Sequence, residues 1–354
     1  MTTYTANVPG ADGTLLSGAF AVADARPSGP GFIPFESLAA KASVSAQANQ
    51  VPAVSQVTFL PGAPFEFFDF ADAHTRAGYG FGGFFQPQVG GIRGSGVDRT
   101  IFQMHPMSST RAAEVPAQGT GQTNDFSLIR AGGSGTIQRA TVLSGFTVRG
   151  TPQGMLYNGV LFYYVTGGLV QDVKVQGIPG NASMQPGETF GGNDLHGVGN
   201  TWQRFEADGR DFATGTPVGA SGFGGNQSKQ LTILDSYSHH NPYSAGFTNN
   251  TCTDITIRNT VATDNGKMGF NFERVAGTVV MDHCTVLRNG GPHVAIASDQ
   301  TNAVYELNDI TFDGPQLVVK VTGFSGGART QDPSKITYRQ AGVPRPDLLN
   351  IVLG

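Results

Sequence analysis

The chain has 354 residues, a formal net charge of -4, only 14% charged residues and 50 glycines. That balance, with no Lys/Arg cluster, excludes a nucleic-acid partner, which needs a basic face to displace counterions from phosphates. Its two cysteines, Cys252 and Cys284, cannot build a disulfide framework and sit in no metal-ligand spacing, so both are read as buried thiols.

The opening MTTYTANVPGADG has neither a charged n-region nor an apolar h-region. No apolar run reaches the roughly 18 residues of a membrane span. The chain is therefore expected to be made in a cytoplasm without a secretory signal and without membrane insertion. Residues 1–33 mix Gly, Pro, Ala and Ser without periodicity and read as an N-terminal arm. Leu38, Ala42 and Ala46 then recur at helical spacing behind Glu36, which predicts one short helix over about 35–49. VTFLPG follows at 57–62 as a strand stopped by Pro61-Gly62, and GIRGSGVDRT at 91–100 places Gly94 and Gly96 at a turn before another strand.

An Ala-rich helix, then V-x-F-L-P-G (Val57, Phe59, Pro61, Gly62), then G-x-G-x-D-x-T (Gly94, Gly96, Asp98, Thr100), resembles the entry to pectate-lyase-like right-handed parallel β-helices, including bacteriophage tail spikes and tail fibres. The resemblance covers roughly residues 35–105 by motif. It implies an all-β solenoid capped by the short helix. In tail proteins of this kind it also implies a virion location, other virion proteins as partners and a homotrimer. No catalytic motif of the family matches residue by residue.

The repeat is visible without that resemblance. LTILDSYSHHN (231–241), ITIRNTVATDN (255–265) and VVMDHCTVLRN (279–289) align without gaps at 24-residue spacing, with Leu231, Ile255 and Val279 in one column and Ile233, Ile257 and Met281 in the next. This is strand alternation with one face buried, stacked as a solenoid from about 34 to 327. Segments 140–150 and 167–177 read as two earlier rungs. Residues 178–222 break the register; part of them must still complete rungs, and long loops are expected to project from one side, where a rigid scaffold usually carries its binding surface. Residues 328–354 read as a C-terminal extension whose apolar end covers the last rung or meets a partner chain.

Residues 24 apart should stack at the strand spacing of about 4.8 Å. Three charged ladders follow: Asp235, Asn259 and His283; His240, Asp264 and Arg288; Arg258 and Asp282. In the second, a carboxylate between an imidazole and a guanidinium would orient His240 as a general base, but opposite charges in register also simply prevent like-charge stacking. Asn241, Asn265 and Asn289 are read as backbone caps at successive bends, and Gly222-Phe223 with Gly246-Phe247 as stacked core aromatics. His239 and His240 can share a site only if a turn begins there, since adjacent strand residues face opposite sides.

Two function classes follow. The first is a tail-associated phage virion protein that recognises a host cell-surface polysaccharide, with Trp202, Arg204, Arg210, His239 and Arg288 as glycan-binding candidates. The alternative is a polysaccharide-degrading enzyme, a lyase or a glycoside hydrolase. Its candidates are Asp235, His240, Asp264, Glu206, Asp208, Asp211 and Arg258, with pairs such as Glu206 and Asp208, or Asp211 and Asp235, supplying two carboxylates. No P-loop, HExxH, GxSxG or Rossmann fingerprint is present, so no cofactor is expected. The D-x-H of Asp194 and His196 is a frequent chance pattern, and no metal site is expected from spacing.

Overall fold

The computed structural model describes residues 141–150, 158–178, 190–219, 221–299 and 301–354, and before them 91–94, 96–104 and the strands Thr2–Pro9, Leu15–Val22, Ile33–Pro34, Val57–Phe59, Phe65–Phe67, Ser127–Gly132 and Gln138–Arg139. The described residues form a parallel β-solenoid of about seven turns, with almost no helix among them and a spacing of 27 residues. The helix expected over 35–49 lies outside the described residues. In the N-terminal arm, Thr2–Pro9 and Leu15–Val22 pair antiparallel.

The alternating apolar residues decide the register. Leu143, Val170, Trp202, Ile233, Ile257, Met281, Leu307 and Tyr338 are successive partners in one interior column. Each of the eight is 3% exposed or less. A second sheet supplies the facing column Phe223, Phe247, Phe270, Val294, Val319 and Ile351. Burying each such side chain is worth about 1.5–3 kcal/mol, so the stack is held by its dry interior rather than by its surface charges. Cys252 and Cys284 lie in this interior as free thiols, and burial pushes both up to about 12.

Three sequence expectations change in detail. The 24-residue spacing holds from Leu231 to Val279, but Thr201 pairs with Thr232 and Leu169 with Thr201, steps of 31 and 32 residues. Within 178–222 the part expected to complete rungs is given its bounds, the two strands Phe190–Leu195 and Thr201–Asp208. The presumed extension is the last turn: Ile336–Gln340 pairs beside Val304–Asn308, and Leu349–Leu353 beside Leu317–Thr322. Its apolar end is only partly covered, with Val352 41% and Leu353 51% exposed.

Corners are made by residues in the left-handed region. Asp172, Arg204, Asp235, Asn259, His283 and Asp309 form one such column, with φ between 48° and 52°. His240, Asp264 and Arg288 form another, with φ of 56°, 57° and 51°. One left-handed residue at each such corner bends the strand while the ladder bonds continue, as Asp235 N–H donates to Arg258 O at 3.0 Å.

Candidate functional site

Three neighbouring strands, Leu169–Gln176, Thr201–Asp208 and Tyr237–His239, build the richest cluster of ionisable groups among the described residues. Pairing sets Lys174 beside Glu206 and Glu206 beside Tyr237, and sets Gln176 beside Asp208 and Asp208 beside His239. Val175, Ala207 and Ser238 alternate with them and face inward, so the polar residues share the outer face.

The contacts are short. Lys174 Nζ lies 2.9 Å from Glu206 Oε1, and His239 Nε2 lies 3.3 Å from the same oxygen. Arg210 grips Asp208 with Nε and a terminal nitrogen, both at 2.8 Å, while its backbone N–H donates to Oδ1 at 3.0 Å. Gln176 Nε2 donates to Asp208 Oδ2 at 3.3 Å. His239 Nδ1 faces His240 Nδ1 at 2.7 Å and Asp208 Oδ1 at 3.7 Å. The Tyr237 ring stacks on His239 with centroids 4.0 Å apart and a 19° tilt, and remains 37% exposed.

This environment separates the charges. Burial works against ionised Glu206, yet hydrogen bonds from His239 and Lys174 hold its carboxyl below the ordinary range. Burial likewise opposes the charge of Asp208, and Arg210 overrides it. Burial, helped by the positive charge of Arg210, lowers His240 below the usual imidazole value.

Local backbone explains the geometry. The strand stops at His239, and His240 turns left-handed, which brings consecutive imidazoles together. Asn241 Nδ2 donates to His239 O at 3.1 Å and to Asn265 Oδ1 at 2.8 Å, and Asn265 Nδ2 to Asn289 Oδ1 at 3.0 Å. The asparagine ladder thus fixes the chain directly after the two histidines. Gly209 is required beside it, since a Cβ there would lie 2.0 Å from His240 O. The 210–219 loop folds back on Gly209 and accounts for the 31-residue step from Asp208 to His239.

The other candidates divide. Arg204 pairs with Asp172 through Nε at 2.5 Å, and Asp235 accepts from Gln203 and Asn259, all on the other corner. Arg258 approaches Asp282 only to 3.9 Å at the exposed surface. Asp211 caps its own loop, accepting from Ala213, Thr214 and the Thr214 hydroxyl. The proposed pairing of Asp211 with Asp235 fails because the true step here is 31 residues, which sets Arg204 in the corner column beside Asp235. Arg288 takes both oxygens of Asp264 at 2.8 and 2.7 Å, so that carboxylate serves the guanidinium, and the hydrogen-bond partner of His240 is His239. Trp202 is fully buried, its indole N–H donating to Asp194 at 3.0 Å, and no glycan can reach it. Asp194 is sealed under Asn200, Trp202 and Ser228, whereas His196 stacks on Tyr164, so their D-x-H makes no common site. The joining of Glu206 and Asp208 to His239 had no signal in the 24-residue spacing.

The A-module of the Azotobacter vinelandii mannuronan C-5 epimerase AlgE4 superposes on this chain with a TM-score of 0.57, covering 89% of this chain and 84% of that module at 14% identity. The chain has the parallel β-helix fold of that module. A polygalacturonase from Erwinia carotovora also matches, with a TM-score of 0.41 and 11% identity, over 94% of this chain and 99% of that one. The gp42 tailspike of Acinetobacter phage vb_AbaP_AS12 matches with a TM-score of 0.39 and 10% identity, over 82% of this chain and 57% of that one. No protein-family model and no curated protein matches the sequence. No described helix is long and apolar enough to cross a membrane.

Proposed function

We propose that the chain is a tail-associated component of a bacteriophage virion that recognises a host-surface polysaccharide on the outer face around Tyr237, His240 and Arg210, with the His239 ring buried beneath Tyr237. One observation carries the binding surface: Tyr237 stacks on His239, lies beside Glu206 on the neighbouring strand and stays 37% exposed. An aromatic face with a few fixed polar groups suits a sugar ring, which is apolar on its faces and polar at its rim. The phage assignment rests on the motif residues of Val57–Gly62 and Gly94–Thr100. A homotrimer with parallel axes belongs to the same reading. Adsorption of the purified chain to a panel of capsular and cell-wall polysaccharides, with mannuronan included, tests it. Tyr237→Ala should weaken adsorption at least tenfold without lowering thermal stability by more than a few degrees. Equal adsorption by both proteins would move the surface elsewhere.

A second reading, catalysis, is favoured by the imidazole pair between two carboxylates. Glu206 and Asp208 are both held ionised, so neither is a proton donor of the kind hydrolysis needs. A lyase fits better: burial and Arg210 hold His240 below the usual imidazole value, which suits proton abstraction. New unsaturated ends, lost in His240→Asn, would establish this reading; new saturated reducing ends would contradict it.

A further inference from the structure

We propose that Asp208, His239 and His240 form a site for one divalent cation of the zinc, cobalt or nickel kind. His239 Nδ1, His240 Nδ1 and one Asp208 oxygen lie within 4.8 Å of one another. Two Nδ1 atoms 2.7 Å apart cannot both present lone pairs; either a proton or a cation must lie between them. A tetrahedral ion would spread the two nitrogens to roughly 3.4 Å, a small opening for side chains at a corner.

The surroundings are those of a metal ligand set. Glu206 takes the Nε2 side of His239, which turns Nδ1 toward Asp208 and His240; such a carboxylate behind a histidine fixes tautomer and ring in metal centres. Arg210 and Gln176 bond both oxygens of Asp208, so a cation at Oδ1 takes the place of the Arg210 Nε bond, while the Tyr237 ring stacks on His239. The positive charges of Lys174 and Arg210 are matched by the negative charges of Glu206 and Asp208, so the approaching cation meets no net repulsion. Two imidazoles and one carboxylate select a borderline transition cation over calcium or magnesium, and three protein ligands leave a position open.

A second group, Asp282, His283 and Asp309, has comparable spacing but lacks this support. His283 is 63% exposed in its side chain and spends Nδ1 on Asp282 at 2.8 Å. It serves as the internal control.

The test titrates the full, metal-free chain with Co2+ alone and follows visible absorption and heat. One Co2+ per chain, displaced by Zn2+, is expected. His239→Gln and His240→Asn should each weaken binding more than tenfold, Glu206→Gln by about 10–100-fold, and His283→Gln not at all. His240→Asn keeps a residue that accepts the left-handed corner, so one ligand variant stays folded, which circular dichroism confirms. Absence of saturable Co2+ binding, or binding lost in His283→Gln but retained in His240→Asn, would overturn the site. Polysaccharide adsorption measured in chelator reads the functional proposal separately.

Discussion

His239 Nδ1 and His240 Nδ1 are 2.7 Å apart, although consecutive strand residues normally point to opposite faces. The left-handed φ of 56° at His240 makes the contact. A β-branched residue is strained there, whereas Asn is not. His240→Val should therefore cost about 1–2 kcal/mol in urea unfolding, and His240→Asn only a few tenths, although both remove the imidazole.

Asn265 is the central member of its ladder. Its Oδ1 accepts from the Asn241 backbone N–H at 3.2 Å and side chain at 2.8 Å, and its Nδ2 donates to Asn289 and to Ser238 O. Asn265→Ala strands buried donors and acceptors, each worth about 1–3 kcal/mol. A loss of about 2–4 kcal/mol is expected by denaturant unfolding, larger than for Asn289→Ala on the less buried side of the ladder.

Trp202 tests core against surface. Its ring meets Phe162, Phe205 and Phe223 at centroid distances of 5.5, 5.1 and 4.9 Å. Trp202→Ala should cost about 3–5 kcal/mol. Trp202→Phe should cost less and leave polysaccharide affinity per folded molecule unchanged; a selective loss of affinity would contradict the buried assignment.

The hydrogen bond from Arg204 holds Asp172 below its ordinary value. A carboxylate depressed in the folded state adds stability above its unfolded value of about 3.9, and that stability disappears as pH falls through the folded value. The pair is half exposed, so its contribution is at most about 1 kcal/mol. Asp172→Asn should be less stable than the parent at pH 7 by that amount and indistinguishable from it at the acid end of the titration. Molar salt should shrink the difference at pH 7.

Much of the fold was legible because equal spacing writes the stack into the chain. Leu231, Ile255 and Val279, and the asparagines at 241, 265 and 289, occupy the columns that their 24-residue period required. Periodicity also identified Phe223 and Phe247 as core. At 178–222, where part of the chain is expected to complete rungs, the 24-residue period gave no register, and Phe190–Leu195 and Thr201–Asp208 continue the stack at a longer step.

The sequence by itself determined the parallel stacking, the inward apolar columns and the paired charges at the corners, since these need only local alternation and a constant period. The tertiary structure alone decided which carboxylates meet the two histidines. A loop between rungs lengthens the step to 31 residues without breaking the hydrogen-bond ladder, so the neighbours of His239 are set by where strands pair. It also decided that His239 and His240 converge, because one left-handed residue cancels the alternation that sequence reasoning assumes.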